Sequence, residues 1–250
     1  YILFWPSHEH QIAIIVGAVI MLLTGFLDDK YNLKPVVKLL GQFSAATVIV
    51  ASDLLIEKIN IPLIGEIHFE NLSVIVTIIW IIAVANAINL IVGLDGLAAG
   101  VTTIALLSIA VMAIIDANNI VAFLCIIVIG SNLGFLYHNF YPAKIYMGDS
   151  GSLFLGYMIA VISMLGLFKN VALLSFIIPL MVIAVPILDT TFAVIRRIKS
   201  GEGVMNADRK HIHYQLLDAG LSHRGAVLVI YLFSGLFGLL AVLFSYSSVH

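Results

Sequence analysis

The sequence predicts an all-α, polytopic integral membrane protein: about eight transmembrane helices, a short extracytoplasmic hairpin and a long cytoplasmic loop, in a single domain over residues 1–250. Three observations predict it. The chain is 62% hydrophobic and only 10% charged, where an ordinary soluble domain carries about 25% charged residues. Its apolar runs are long enough to cross a bilayer, which takes roughly 20 residues each. Its cations are also distributed very unevenly between the two sets of loops. A net charge of −2 gives no basis for nucleic acid as a partner. The single Cys125 sits inside an apolar run, so no disulfide framework exists.

Residues 1–6 read as the tail of an earlier span, with neither Met nor a charged leader before it, so the expectation is that an N-terminal portion of the domain is missing. The first full span covers residues 11–27 and stops at Asp28-Asp29. The second covers 35–55 and opens on Pro35, a residue suited to a first helical turn. Residues 59–69 alternate apolar and polar side chains around Gly65, which reads as a hairpin. Spans follow over 72–91 and 97–115, and the turn at Asp116–Asn119 leads into a fifth that reaches 136. A loop over 137–150 precedes the sixth span, 152–168. The seventh covers 171–195, with Pro179 and Pro186 as kinks that neighbouring helices can accommodate. Residues 196–224 form the long polar loop, and the eighth span covers 225–245.

Span counting places Lys30, Lys34, Lys38, Lys144, Arg196, Arg197, Lys199, Arg209, Lys210 and Arg224 on one side, and only Lys58 and Lys169 on the other. Ten against two makes the first side cytoplasmic. Four polar islands fall on that side: Asp28-Asp29-Lys30; Asn86 and Asn89 with Asp95-Gly96; Gly148-Asp149-Ser150-Gly151; and His211-Ile212-His213. Ionisable residues in or beside a span are costly and point to function.

Each island has a plain alternative. Asp28 and Asp29 could simply end a helix, yet adjacent carboxylates can also hold one ionised group beside a metal. Asn86 and Asn89 share a helix face and could bond a neighbouring helix or a substrate, while Gly93, Gly96 and Gly100 permit close backbone approach around Asp95. Asp149 or Ser150 could cap a helix, or Asp149 could hold Mg²⁺, which favours one or two carboxylates plus substrate phosphates. The basic loop Asp208–His213 could lie against anionic headgroups. Its His pair and His223-Arg224 suit pyrophosphate better, and zinc is disfavoured by the spacing. Asp189, inside the seventh span, requires a partner or a wet cavity. Together these parts suit phosphoryl transfer, which needs mainly positioning and charge stabilisation.

Gly25–Asp29, Asn86–Asn89 with Gly93–Gly96, Met147–Leu153 and Asp208–His213, in that order, resemble the motifs of the polyprenyl-phosphate N-acetylhexosamine-1-phosphate transferases. The similarity is to the undecaprenyl-phosphate GlcNAc-1-phosphate transferase branch, which begins teichoic acid and lipopolysaccharide O-antigen units and is related to phospho-N-acetylmuramoyl-pentapeptide transferase. The resemblance implies a bacterial cytoplasmic-membrane enzyme, its site facing the cytoplasm. It would move a sugar-1-phosphate from a UDP-sugar to undecaprenyl phosphate and release UMP, with Mg²⁺ (or Mn²⁺) as cofactor. Asp149 would be the principal metal ligand, joined by Asp95. Asp28, Asp29, Asp95 and His213 would be catalytic, Asp28 as a candidate base. Asn86, Asn89, Lys38, Asp189, Arg209 and His211 would bind substrate. Bilayer lipid and a second copy in a homodimer complete the expected partners.

The chain departs from the family at Val92, where relatives usually carry Asp, and at Tyr214, where many carry a further His. Val92 motivates an alternative, a catalytically impaired member acting as a scaffold. A secondary transporter of anions is the other alternative. Transporters place polar groups at the midplane of broken helices and show repeated halves, and neither feature is visible here.

Overall fold

The protein was described from a computed structural model, which covers residues 9–61, 65–167 and 216–249. It is an antiparallel helix bundle. In chain order it runs α1 (Gln11–Tyr31), α2 (Pro35–Ala51), β1 (Lys58–Ile61), β2 (Gly65–His68), α3 (Ser73–Leu90), α4 (Leu97–Ile115), α5 (Asn119–Asn139), α6 (Gly148–Leu167) and α7 (His223–Val249). Among the described residues six helices are long and apolar enough to cross a membrane, and α2 is a shorter apolar helix. The expected seventh span and most of the polar loop lie outside the described residues.

The strands form a two-stranded hairpin in the register Lys58↔His68, Ile59↔Ile67, Asn60↔Glu66 and Ile61↔Gly65, as the alternation predicted. Lys58 pairs with Glu66 at 3.2 Å across it. The hairpin closes the end of α2 remote from Pro35.

Among the boundaries that differ from expectation are one each at α1, α2 and α6. α1 continues to Tyr31 and ends where Asn32 turns left-handed (φ 51°) with its N–H on the Asp28 carbonyl. Asp28 and Asp29 are therefore inside the last helical turn, not beyond it. α2 stops at Ala51, two residues before Asp53 takes a positive φ of 64°. α6 starts at Gly148 instead of 152, so Asp149 lies in its first turn.

About two-thirds of α4 and of α6 is buried, against a third of α1, α5 and α7, so α4 and α6 are the inner helices. The large apolar side chains left exposed, such as Ile12, Val19 and Phe26 on α1 or Leu232, Leu236 and Leu239 on α7, form outward stripes. That is the pattern expected of a bundle whose solvent is lipid, where helices associate through small residues and internal hydrogen bonds. Gly156 supplies one such approach: a Cβ there would lie 2.6 Å from the Cα of Ala85 on α3. Gly25 supplies another, where a Cβ would lie 2.5 Å from the Cα of Ser150 on α6. Asn132 on α5 donates to the Ala99 carbonyl and to the Thr102 and Thr103 hydroxyls of α4, at 2.7, 2.8 and 2.9 Å. Tyr157 on α6 donates to the Ile14 carbonyl of α1 at 3.1 Å.

Candidate active site

Close helix contact determines the site. Because Gly25 lets α1 lie against the backbone of α6, the residue one turn later, Asp29, reaches the open N-terminus of that helix. Its Oδ1 accepts the Asp149 N–H at 2.7 Å, and its Oδ2 accepts the Ser150 N–H at 3.0 Å and the Ser150 hydroxyl at 2.5 Å. The first N–H groups of a helix have no partner within the helix, and a carboxylate stabilises the positive end of the dipole. Asp29 thus caps α6 from a different helix. Gly148 permits it: the residue has φ +60°, and a Cβ would meet Asp29 Oδ2 at 2.6 Å.

Lys38, in the first turn of α2, is the hub. Gly41, one turn on, packs against Thr24 of α1, where a Cβ would lie 3.0 Å from the Thr24 Cβ. That contact brings Lys38 opposite Asp28. The ammonium donates to Asp28 Oδ2 at 3.2 Å, to Asn89 Oδ1 at 3.3 Å and to Asp149 Oδ2. Its three N–H donors therefore meet three oxygens carried by α1, α3 and α6. The side chains of Lys38, Asp28 and Asp149 are 18%, 15% and 23% exposed, so the triad is largely shielded but open on one side. Asn89 also donates to Ser152 Oγ at 2.8 Å. Asp28 Oδ1 accepts the Leu33 N–H at 2.8 Å, which fixes the α1–α2 turn.

Two carboxylates at the C-terminal end of α1 oppose that helix's own dipole. Lys38 and the N-terminus of α6 offset them.

Of the predicted site residues, Asp28, Asn89, Lys38 and Asp149 converge directly, with Asp29 adjoining through the α6 backbone. Asn86 does not join them. It exchanges hydrogen bonds with the fully buried Gln42 of α2, at 2.6 and 3.2 Å, and bonds the Ile82 carbonyl at 2.8 Å. It works as a link between α2 and α3, the helix–helix alternative left open for it. Asp29, expected among the catalytic groups, has both oxygens engaged in capping.

Asp95 belongs to a neighbouring cluster. Its Oδ2 accepts the Ala143 N–H at 3.1 Å, and its own N–H donates to His223 Nε2 at 3.0 Å. Asp95 and Asp149, expected together as metal ligands, thus engage different partners here, and the Lys38 ammonium at Asp149 is shared with Asp28. Asp189, Arg209, His211 and His213 lie outside the described residues. Val92 sits in the 3-10 turn Ile91–Gly93, partly buried and packed on the apolar core.

The sequence reading missed Gln42, Ser152, Asn139 and Tyr141. A Gln within an apolar helix was a legible signal for the first, whereas the roles of Ser152 in α6, Asn139 at the end of α5 and Tyr141 in the following loop depend on how distant segments meet. Among the described residues no group of three or more His, Cys, Asp or Glu forms a metal site. The oxygens of Asp28, Asn89 and Asp149 surround the Lys38 ammonium. Asp28 and Asp149 are the two carboxylates there that could hold a hard divalent ion, the kind of site that one or two carboxylates and substrate phosphates complete.

The model of "Glycosyl transferase family 4" matches residues 11–167, the segment from α1 to α6 that holds this cluster. Over 245 residues the chain is 48% identical to a "Probable undecaprenyl-phosphate N-acetylglucosaminyl 1-phosphate transferase" of Bacillus subtilis, covering 97% of this chain and 68% of that protein. It is 36% identical over 256 residues to a decaprenyl-phosphate N-acetylglucosaminephosphotransferase of Mycobacterium leprae, covering 93% and 64%. A phospho-N-acetylmuramoyl-pentapeptide-transferase of Lacticaseibacillus paracasei is 36% identical over 173 residues, covering 63% and 54%. The chain thus spans between 44% and 70% of the length of the curated relatives it matches.

Proposed function

Since this chain belongs to glycosyl transferase family 4, we propose that it transfers a sugar-1-phosphate, GlcNAc-1-phosphate by analogy with its relatives, from a UDP-sugar to undecaprenyl phosphate. The observation that carries this reading is the convergence of Asp28, Asn89 and Asp149 on Lys38 at one end of a bundle of membrane-length helices. A phosphate on a lipid reaches that end from the bilayer, and a soluble nucleotide reaches it from water. The bacterial relatives support an inner-membrane protein, and the ten-to-two excess of Lys and Arg supports a site that faces the cytoplasm.

In the reaction an oxygen of the lipid phosphate attacks the phosphorus that carries the sugar. The bond from that phosphorus to the bridging oxygen breaks, and UMP departs with the electron pair. The lipid then carries a diphosphate-linked sugar. No proton need be removed, because a phosphate monoester with a second pKa of about 6 is largely ionised at neutral pH. Asp28 accordingly serves to hold Lys38 and the α1–α2 turn, and its two engaged oxygens suit that role better than a base. Lys38 places positive charge where diphosphate oxygens gather. Asp149, with Asp28 beside it, would hold Mg²⁺ or Mn²⁺, which neutralises charge on the transferring phosphoryl group.

The test is UMP release by the purified full-length protein given UDP-GlcNAc, Mg²⁺ and undecaprenyl phosphate. Turnover is expected only when the lipid is present, and release without it would overturn the reading. Asp149→Asn is expected to lower the rate at least about a thousandfold, or about 4 kcal/mol. Wild-type turnover in that variant would remove the metal assignment.

One observation favours a second reading. Val92 adds an isopropyl group to the apolar core where the family carries a carboxylate, so the chain could be an impaired member with a scaffolding role. Val92→Asp is expected to raise turnover at least about tenfold (roughly 1.4 kcal/mol) if the valine is a lesion. An unchanged rate would show that the site works without that charge.

A further inference from the structure

The start of α7 lies beyond the matched segment 11–167, yet it touches two loops of the site at once. His223 Nε2 accepts the Asp95 N–H at 3.0 Å. The His223 ring stacks on Tyr141, with centroids 4.4 Å apart and planes 22° from parallel. Arg224 Nε and Nη2 both donate to the Tyr141 carbonyl, at 3.1 and 3.0 Å. Two turns further on, the Tyr231 hydroxyl donates to the Gly96 carbonyl.

The same loops are also joined directly. Asp95 Oδ2 accepts the Ala143 N–H at 3.1 Å, Asn139 Oδ1 accepts the Gly96 N–H at 3.0 Å, and Asn139 Nδ2 donates to the Ile145 carbonyl at 2.8 Å. Apart from Asn139, the last residue of α5, the residues joined here, Asp95, Gly96 and those of 140–147, lie outside the helices and strands. The Gly96 N–H is buried and the Asp95 and Ala143 N–H groups are part-buried, so losing a partner there carries a desolvation cost, whereas the Arg224 fork at the Tyr141 carbonyl is exposed and acts by geometry. The segment that Arg224 and His223 hold at Tyr141 runs directly into Gly148 and Asp149.

We infer that His223 and Arg224 are positioning residues. The first turn of α7 holds the Asp95 loop and the 139–147 segment in register with each other, and through that segment it fixes where α6 begins and where Asp149 points. The inference rests on the transferase reading for its consequence and on the contacts alone for its geometry. It assigns distinct tasks to the two side chains. His223 supplies an acceptor to one loop and a flat ring to the other. Arg224 supplies a two-pronged donor that a lysine cannot reproduce.

The experiment uses the full-length protein in detergent micelles and three substitutions. His223→Phe keeps a ring for Tyr141 and removes the acceptor. His223→Gln puts an oxygen close to the Nε2 position. Arg224→Gln removes the fork. Amide hydrogen exchange is followed in residues 91–98 and 139–147, with residues 35–51 and 73–90 as internal reference, alongside kcat and both KM values.

His223→Phe is expected to speed exchange at least about tenfold in the two loop segments and leave the reference helices unchanged. It should lower kcat at least about tenfold (about 1.4 kcal/mol), with the KM for undecaprenyl phosphate within about twofold of wild type. His223→Gln, which keeps the acceptor and loses the ring, is expected to stay within about threefold of wild type in kcat and in exchange over 91–98, with faster exchange confined to 139–147. Loop exchange at the wild-type rate in His223→Phe, or a His223→Gln variant as impaired as His223→Phe, would overturn the inference. If His223→Phe does not fold, Arg224→Gln decides. Faster exchange confined to 139–147 supports the clamp, and an unchanged pattern removes it. A wild-type protein that releases no UMP would sink the transferase reading alone, since the exchange pattern judges the clamp without reference to turnover.

Discussion

Lys38→Met is expected to reduce turnover at least about a thousandfold and to cost about 3 kcal/mol of stability. Both effects come from one feature. The ammonium is shared by Asp28 Oδ2, Asn89 Oδ1 and Asp149 Oδ2, and the two carboxylate side chains are only 15% and 23% exposed. Removing one member of a shielded ion pair leaves the remaining charge uncompensated. Here it leaves two like charges facing one vacated position. Unit charges about 4 Å apart in an effective dielectric of about 20 repel by about 4 kcal/mol, a cost of the same order.

Methionine has a similar length and keeps the packing of the aliphatic stem, which confines the change to the charge. The measurement is the thermal midpoint with and without Mg²⁺. The variant should melt lower than wild type, and added Mg²⁺ should raise its midpoint by more than it raises that of wild type, because a cation can then enter the oxygen set unopposed. A midpoint equal to wild type would show that the lysine contributes nothing to holding the three helices together. An equal response to Mg²⁺ would show that the ion binds elsewhere.

The second large effect is expected at Asp29. Asp29→Ala should cost about 3 kcal/mol, the sum of a lost helix cap and of hydrogen bonds to a charged acceptor, and lower kcat at least about a hundredfold (about 2.7 kcal/mol). The carboxylate accepts from the Asp149 N–H, the Ser150 N–H and the Ser150 hydroxyl, so its loss frees the first turn of α6 and with it the metal ligand.

Asp29→Asn separates capping from chemistry. The amide oxygen can still accept one of these bonds, whereas the amide nitrogen faces the other donors and repels them. A capping role predicts that stability and rate fall together and by an intermediate amount. Wild-type stability with lost turnover would instead return Asp29 to the catalytic group that the family resemblance suggested. Denaturation and single-turnover kinetics on the same preparations distinguish the two.

The helices were legible because their cause is compositional. A run of about 20 apolar residues has few ways to satisfy its backbone in a bilayer other than as a helix. The hairpin around Gly65 and the Pro35 start of α2 follow from equally local rules, alternation and a fixed φ. Helix ends were less legible. Asp28 and Asp29 read as a stop because two carboxylates end the apolar run, yet α1 runs through them to Tyr31 although acidic residues oppose a helix C-terminus. What makes that tolerable is Lys38 and the α6 N-terminus, both distant in sequence. Asn86 and Asn89 were equivalent on the page, same residue and same helix face. Only the placement of Gln42 beside one and Lys38 beside the other assigns the first to helix packing and the second to the site.

By itself, then, the chain determined a multi-span helical membrane protein, its family, and the set of polar side chains from which a phosphate-handling site could be assembled. These depend on residue type and short-range spacing, which the sequence carries explicitly. Which carboxylate meets the shared cation, which one caps a helix and which one is tied to α7 were decided only by the tertiary fold. The glycines at 25, 41 and 156 set how closely the helices approach, and differences of a few ångströms in that approach determine which oxygen reaches which donor.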